Sequence, residues 1–571
     1  FGQTYVVDSQ PYGTTTISAN SPVSTASTTF FITPAISWVS PTSGTVGSLV
    51  SILGNGYNAN QQIVVYFGTG MPPKIGDYLW QDSSASTITT SNTNNCGTFT
   101  ALFTINLQPY GTTTILARDM GYKFAENIFG IQPEVWVIPS SGTVGSSVMI
   151  KGNGYGKNTS LQINFGTTNN VGDAFTTDTN GSFTTFFTIN TQKWGTTTFT
   201  ILGSGVSDAT IFNIEAAITN VSPNQGTVGT SILIDGNGFV QGPIKLDLGN
   251  MEWINAGFVS DNKGVFSTSF VLNSQPYGTK TVIAKHGTGQ IYSSYPRTFF
   301  ILPNIDITPG TGTVTTIVTV SGTGYNPLEV IRIGFGSTIT IVTAQGSSLI
   351  DISLTERQVG GTFSITFVVN TQPAGTRTVT GYGTVIGTES TEIFTIIPSL
   401  YSVDPTAGTV GSQVTIAGRG YGDNERVDIN FGITSTITFC SSNGNGWFYK
   451  SFTIDTQPYA TTTIQAICTT SGWGTGVINI YFIMPAIFSV SPSKGTVGTL
   501  VTIKGNGFGD TKKIRIAFGT NPSISTIYSD SSGSFTSSFT IDIQSKGITT
   551  ITATGFVTGA SASYSFEFTA E

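Results

Sequence analysis

Six times along this chain a Gly-Thr-Val-Gly block, or a close variant, stands ten residues ahead of a Gly-x-Gly-aromatic element. The copies pair Gly44 with Gly54, Gly142 with Gly152, Gly226 with Gly236, Gly312 with Gly322, Gly408 with Gly418 and Gly495 with Gly505. The aromatic is Tyr57, Tyr155, Phe239, Tyr325, Tyr421 or Phe508. Punctuation copied at near-constant intervals fixes the architecture before any local motif is read: the chain is an array of like modules.

A second element, Gln-Pro-Tyr-Gly or a variant, starts at Gln10, Gln108, Gln192, Gln275, Gln372, Gln457 and Gln544. Its seven copies outnumber the six glycine blocks, so six whole repeats follow the end of a seventh. The expected boundaries are 35–133, 134–215, 216–303, 304–398, 399–485 and 486–571, with residues 1–34 supplying only the last two strands of a partial repeat. Two lone strands cannot bury a core. They are expected to pair with upstream sequence, with the first repeat, or with another subunit by strand addition.

Within a repeat the signals are those of short strands. Alternation in Ile514-Arg515-Ile516-Ala517-Phe518-Gly519 puts Ile514, Ile516 and Phe518 on one face. An Asp-x-x-Gly-x-Phe turn follows at Asp178, Asp261 and Asp530, where Asp caps the turn and Gly takes a positive φ. A calcium loop would need more carboxylates in register than these provide. A Thr-rich strand and an aromatic closing strand, such as Thr298-Phe299-Phe300-Ile301, complete the unit. About seven short strands with frequent turns, and no sustained helical period, predict an all-β chain of six immunoglobulin-like sandwiches in a linear array.

The joints, such as Phe31-Ile32-Thr33-Pro34-Ala35-Ile36 and Ile483-Met484-Pro485-Ala486-Ile487, contain no Gly/Ser spacer. Proline with flanking apolar residues predicts stiff, side-chain-packed connections, each module adding roughly 35–45 Å. Trp38 and Trp136, three residues before Pro41 and Pro139, are expected to pack these interfaces.

The Pro-x-x-Gly-Thr-Val-Gly…Ile-x-Gly-x-Gly-Phe/Tyr…Phe-Gly pattern resembles the IPT/TIG family of immunoglobulin-like domains, especially the tandem versions in secreted and cell-surface proteins of archaea and bacteria. The resemblance implies a fold more than a function, because such domains serve as adhesin stalks, filament or surface-layer blocks, and spacers in enzymes. The fourth repeat departs from it at Thr315 and by an insert around 354–360. The first carries an insert around 71–80.

Chemistry is sparse in the sequence. His286 is the sole histidine, is expected in a loop, and has no Gly-x-Ser-x-Gly elbow beside it. A multi-histidine zinc site is excluded by count, and no cofactor, metal or catalytic residue is assigned. The Gly-Asn-Gly-Tyr elements lead into strands and are read as turns and close approaches, with the aromatic as a core plug. Cys440 and Cys468 are candidates for a disulfide, with two buried free thiols as the alternative. Cys96 is expected to be a buried small side chain or a free thiol. Asn158, Asn180 and Asn220 head glycosylation sequons. Trp80, Trp253 and Trp473 are candidate glycan contacts.

Charged residues are only 9% of the chain, the net charge is -7, and no basic run occurs, which disfavours nucleic acid. No apolar stretch reaches ~18 residues, so no membrane span is expected. Nothing after Phe1 reads as a signal peptide, so any secretion signal is expected to be already removed or outside this sequence. The sequence therefore predicts a non-enzymatic, extracellular, cell-surface structural protein: the self-associating subunit of a filament, sheath or surface layer. The alternatives are an adhesin or glycan-binding stalk acting through the two inserts or a missing tip domain, and a spacer within an extracellular enzyme. So few carboxylates also predict tolerance of acid.

Overall fold

The computed structural model describes residues 2–72, 74, 75, 78, 79, 86–249, 251–254, 258–286, 293–327, 330–336, 351–353, 361–384, 387–474 and 477–569. It contains strands throughout, one 3₁₀ turn at Gly68–Gly70 and no α-helix among the described residues. The chain is all-β, as its periodicity predicts. Two compact units are present, one comprising 1–224, 231–271 and 279–299, the other 225–230, 272–278 and 300–571.

In the first unit, strands Ala35–Ser40, Leu49–Asn55 and Phe99–Thr104 form an antiparallel sheet with Leu49–Asn55 in the middle. A second sheet runs Ser43–Gly44, Phe124–Ile131, Gly111–Asp119, Gln62–Phe67, Thr87–Asn92. Its first pair is parallel and the others are antiparallel. The inner faces enclose one core drawn from Ile36 to Ile131. A second core gathers residues from Val135 to Ile214. Strand Val206–Ser222 runs unbroken from the closing strand of the second repeat into the opening strand of the third, which leaves no room for a spacer.

The second unit repeats this scheme three times. Its cores span Ile305 to Ile396, Leu400 to Ile483 and Ile487 to Phe568. The last repeat shows what the glycine block does. Ala486–Ser491 lies in the three-stranded sheet, Lys494–Gly495 crosses to pair in parallel with Ser561–Phe568, and Leu500–Asn506 returns to the first sheet. Gly498, at φ +87, makes the return turn while its N–H donates to the Ile541 carbonyl (3.0 Å). The block is thus a switch between sheets. The expected alternation holds: Ile514, Ile516 and Phe518 are fully buried, and Arg515 is exposed.

The two strands expected in residues 1–34 are Gly13–Ser21 and Ser24–Ile32, which pair with each other as a hairpin. Three expectations change. His286 ends strand Gly278–His286, opposite Ile244, and is not a loop residue. Trp38 is 49% exposed and does not fill an interface.

The third concerns the disulfide. Cys440 and Cys468 both lie opposite Val427, on strands that flank Arg426–Phe431 from either side. Two strand spacings of ~4.8 Å separate them, beyond the ~7 Å that a disulfide spans. Both are free thiols, Cys468 buried and Cys440 partly so. The candidate disulfide is therefore not formed, because strand Arg426–Phe431 lies between the two cysteines. Cys96 is an exposed free thiol.

Candidate functional site

The feature that recurs at every join is a contact between the Gln loop of one repeat and the Gly-x-Gly-aromatic turn of the next. Its foundation is a buried amide. Gln457 accepts the Ile433 N–H (3.1 Å) and donates through Nε2 to Asp455 Oδ1 (2.9 Å) and the Phe431 carbonyl (3.3 Å). Gln108, Gln372 and Gln544 donate in the same way to Asn106, Asn370 and Asp542, two residues earlier. The Phe-Gly glycine beneath, Gly432 at φ +51, leaves space that a Cβ would take from Gln457 Oε1. A buried, satisfied glutamine holds the start of the loop rigid.

From that anchor the loop reaches its neighbour. The Tyr459 N–H donates to the Phe508 carbonyl at 2.8 Å. The same backbone bond joins Tyr12 to Tyr57 (2.9 Å), Tyr110 to Tyr155 (2.8 Å), Trp194 to Phe239 (3.3 Å), Tyr277 to Tyr325 (3.2 Å) and Ala374 to Tyr421 (2.9 Å). Each aromatic residue's own N–H donates to the glycine carbonyl of its Asp-x-x-Gly-type turn, as Phe508 does to Gly533 (3.0 Å). The aromatic ring is meanwhile sealed in its core, Phe508 packing edge-on against Phe535 at 5.2 Å. One residue therefore ties a core, a turn and the preceding repeat together.

Two further contacts close the join. Pro458 Cα lies where a Cβ on Gly533 would meet it, and the linker carbonyl of Met484 lies where a Cβ on Gly507 (φ +71) would fall. Proline or lysine stands over the matching glycine at Gly97, Gly181, Gly264 and Gly446. The apolar linker side chains, by contrast, are half exposed at Phe31, Ile397 and Met484. The join is made by backbone contacts together with partial side-chain packing: Tyr459 packs partly buried against the core of the next repeat, and Ile32 and Ile396 reach Gly56 and Gly420. The loop is also braced from its own repeat, by Tyr12 on Phe31, Tyr277 on Phe300 and Tyr459 on Phe482 at 5.2–5.3 Å, edge to face.

The Asp turn beside the join is held by local hydrogen bonds. Asp530 Oδ1 accepts the N–H groups of Ser532 and Ser534 (2.9 Å each) and the Ser532 hydroxyl (2.6 Å). The Ser532 hydroxyl, with those N–H groups, holds its carboxyl below the usual range against the opposing effect of burial. Asn94 and Asn443 play the same part in repeats one and five. No group of three His, Cys, Asp or Glu side chains able to hold a metal occurs among the described residues.

The residues singled out from sequence are scattered. Asn158 is exposed, Asn180 is half-buried in its turn, and Asn220 donates Nδ2 to Asp235 (3.0 Å). Trp473 packs partly buried against the core of repeat five, with its carbonyl accepting the Cys468 N–H (2.8 Å). Trp253 lies in strand Met251–Ile254 with its side chain outside the described residues. Trp80, the insert at 354–360 and residues 73, 76 and 77 of the insert at 71–80 lie outside them as well. Sequence reasoning did not find the join. Its signal was there: each Gln loop that precedes another repeat keeps its place ahead of a Gly-x-Gly-aromatic turn, while the last copy runs Gln544-Ser545-Lys546-Gly547.

Residues 485–569 match the model of the IPT/TIG domain. No curated protein matches the chain. Solved structures similar to it include the eight N-terminal Ig domains of Down Syndrome Cell Adhesion Molecule, at 12% identity and TM-score 0.17, covering 95% of this chain and 73% of that one. Invasin, a bacterial integrin-binding protein, aligns at 14% identity and TM-score 0.18, covering 63% and 81%. Trypsin-activated alpha-2-macroglobulin from Escherichia coli aligns at 9% identity and TM-score 0.15, covering 99% of this chain and 49% of that one. With an IPT/TIG domain at its end and the same glycine pairs in the five repeats before it, this chain is a tandem array of IPT/TIG-like, immunoglobulin-like repeats.

Proposed function

We propose that this chain is an extracellular structural protein, a self-associating subunit of a surface filament, sheath or surface layer, and not an enzyme. Each of the six repeats, within the boundaries given above, acts as one domain. The observation that carries the reading is the join: one backbone hydrogen bond, copied six times, couples every repeat to its successor. A backbone bond braced by a buried glutamine resists separation of neighbouring modules, and a load-bearing part requires that property. The composition agrees, because a surface of Thr, Ser, Gly and Asn with 9% charged residues offers little to steer ions or nucleic acid.

Antibody labelling of intact source cells under negative-stain electron microscopy tests the reading. Label on regular surface fibres or a surface lattice is expected. Label confined to the cell interior, or a purified chain that stays monomeric at every concentration by sedimentation, would overturn it.

A further inference from the structure

The first residues carry more of a repeat than the two strands they form. Phe1, Tyr5, Val7, Asp8, Gln10 and Gly13 stand at the spacing of Phe535, Phe539, Ile541, Asp542, Gln544 and Gly547. In the last repeat that stretch supplies strand Phe535–Thr540, which pairs with Leu500–Asn506, and strand Gly547–Gly555 pairs along its outer edge with Lys513–Phe518. At the N-terminus residues 2–11 form no strand, and the hairpin is a two-stranded sheet with both outer edges unpaired among the described residues.

Exposure follows from the missing strands. Phe539, Ile541, Ile551 and Phe566 are 4%, 2%, 0% and 0% exposed, whereas their counterparts Tyr5, Val7, Ile17 and Phe30 are 67%, 36%, 37% and 44%. These four and Gln10 line one open cavity of about 530 Å³. Gln10 is exposed, although Gln457 at the same place is buried. The join to the first repeat is nevertheless complete, with the Tyr12 N–H on the Tyr57 carbonyl (2.9 Å) and Pro11 over Gly97. The half-module is therefore already docked in the position of a whole one.

We infer that residues 2–32 are a receptor for the other half of an IPT/TIG-like repeat, a polypeptide segment with the chemistry of residues 486–534. Its Val501-Thr502-Ile503-Lys504-Gly505 strand would lie along residues 2–7. Its Ile514-Arg515-Ile516-Ala517-Phe518-Gly519 strand would add to the free edge of Gly13–Ser21, with the final glycine beneath Gln10. Unpaired strand edges call for a strand, and the alternating apolar positions call for one that brings its own apolar face. A polar ligand would satisfy the edges and leave Ile17 and Phe30 in water. The inference rests on the tandem-repeat reading of the chain and not on where the array is assembled.

Amide hydrogen exchange on the full chain tests it, with excess synthetic polypeptide 486–534 added in one arm and the same segment joined ahead of Phe1 in another. Amides of Gly13–Ser21 are expected to slow by about 100-fold or more in at least one arm, because their opening would then require unfolding of a packed module. The double variant Ile17→Asp, Phe30→Asp should abolish that protection while the six repeats keep theirs, since both side chains are exposed in the chain alone. Unchanged exchange in both arms, with the six repeats still protected, overturns the proposal. So does protection that the chain gains alone on concentration, which would make a second copy the occupant. Surface labelling is an independent readout, so either reading can fail while the other stands.

Discussion

At the scale of single residues the glycines are the most legible part of the chain. Reading the Gly-x-Gly pair as turns and close approaches, and its aromatic as a core plug, matches what the structure places there: the Phe535 ring over Gly505, and Met484's carbonyl over Gly507. Gly507→Ala must accept a left-handed backbone and a Cβ against that carbonyl together. It should cost about 2 kcal/mol or more, read as earlier unfolding of the last repeat in denaturant, with the other repeats unmoved. The cysteines were less legible. Sequence alone offers Cys440 and Cys468 as a pair but does not say which strand lies between two others. Burial raises the Cys440 thiol to about 11 against a smaller lowering by Lys450, and burial raises Cys468 as well. One thiol, Cys96, should therefore react with a maleimide in the native chain at neutral pH, and all three after unfolding. A native chain that resists until reduced, or that labels at Cys440, would contradict this placement.

At the scale of elements, the strands and their order were legible because two signals agree, alternation of apolar residues and turn residues at fixed offsets. The join between repeats was not, and the reason is physical. Its central bond is backbone to backbone, so the donating residue can be Tyr, Trp or Ala, as at Tyr459, Trp194 and Ala374. Linker composition pointed to apolar packing, which holds in part: Phe31, Ile397 and Met484 are half exposed, while Ile32, Ile396 and Ile483 are buried. What the join does demand is an N–H. Tyr459→Pro removes it and should weaken coupling between repeats five and six by about 1 kcal/mol, whereas Tyr459→Phe keeps both the N–H and the ring on Phe482 and should change little. Amide exchange at Phe508 and Gly533 distinguishes the two variants. Equal behaviour would mean that the bond contributes nothing to the join.

At the scale of the whole molecule, the array follows from arithmetic on copied motifs, but the balance of charge sets how it answers its surroundings. Among the described residues, two carboxylates are held below their usual range. For Glu425, burial pushes the pKa up, but the Ser471 hydroxyl and the N–H groups of Ser471 and Thr470 outweigh it; Asp530 is lowered chiefly by the Ser532 hydroxyl. A carboxyl whose folded pKa lies below its unfolded one binds protons more readily when unfolded. Its stabilisation is therefore complete above the unfolded value and is lost as pH falls through the folded one. With ordinary values of 4.5 for glutamate and 3.8 for aspartate, the loss begins only below that window. It should appear first in repeats five and six, which hold Glu425 and Asp530. The 30 acidic residues among 571 limit any further contribution, and the sole histidine limits what can titrate near neutrality. Melting temperature should thus hold within about 2 °C from neutral pH to about pH 5, and then fall below about pH 4. Calorimetry across that range is the measurement. A steep fall between neutral pH and pH 5 would overturn this expectation.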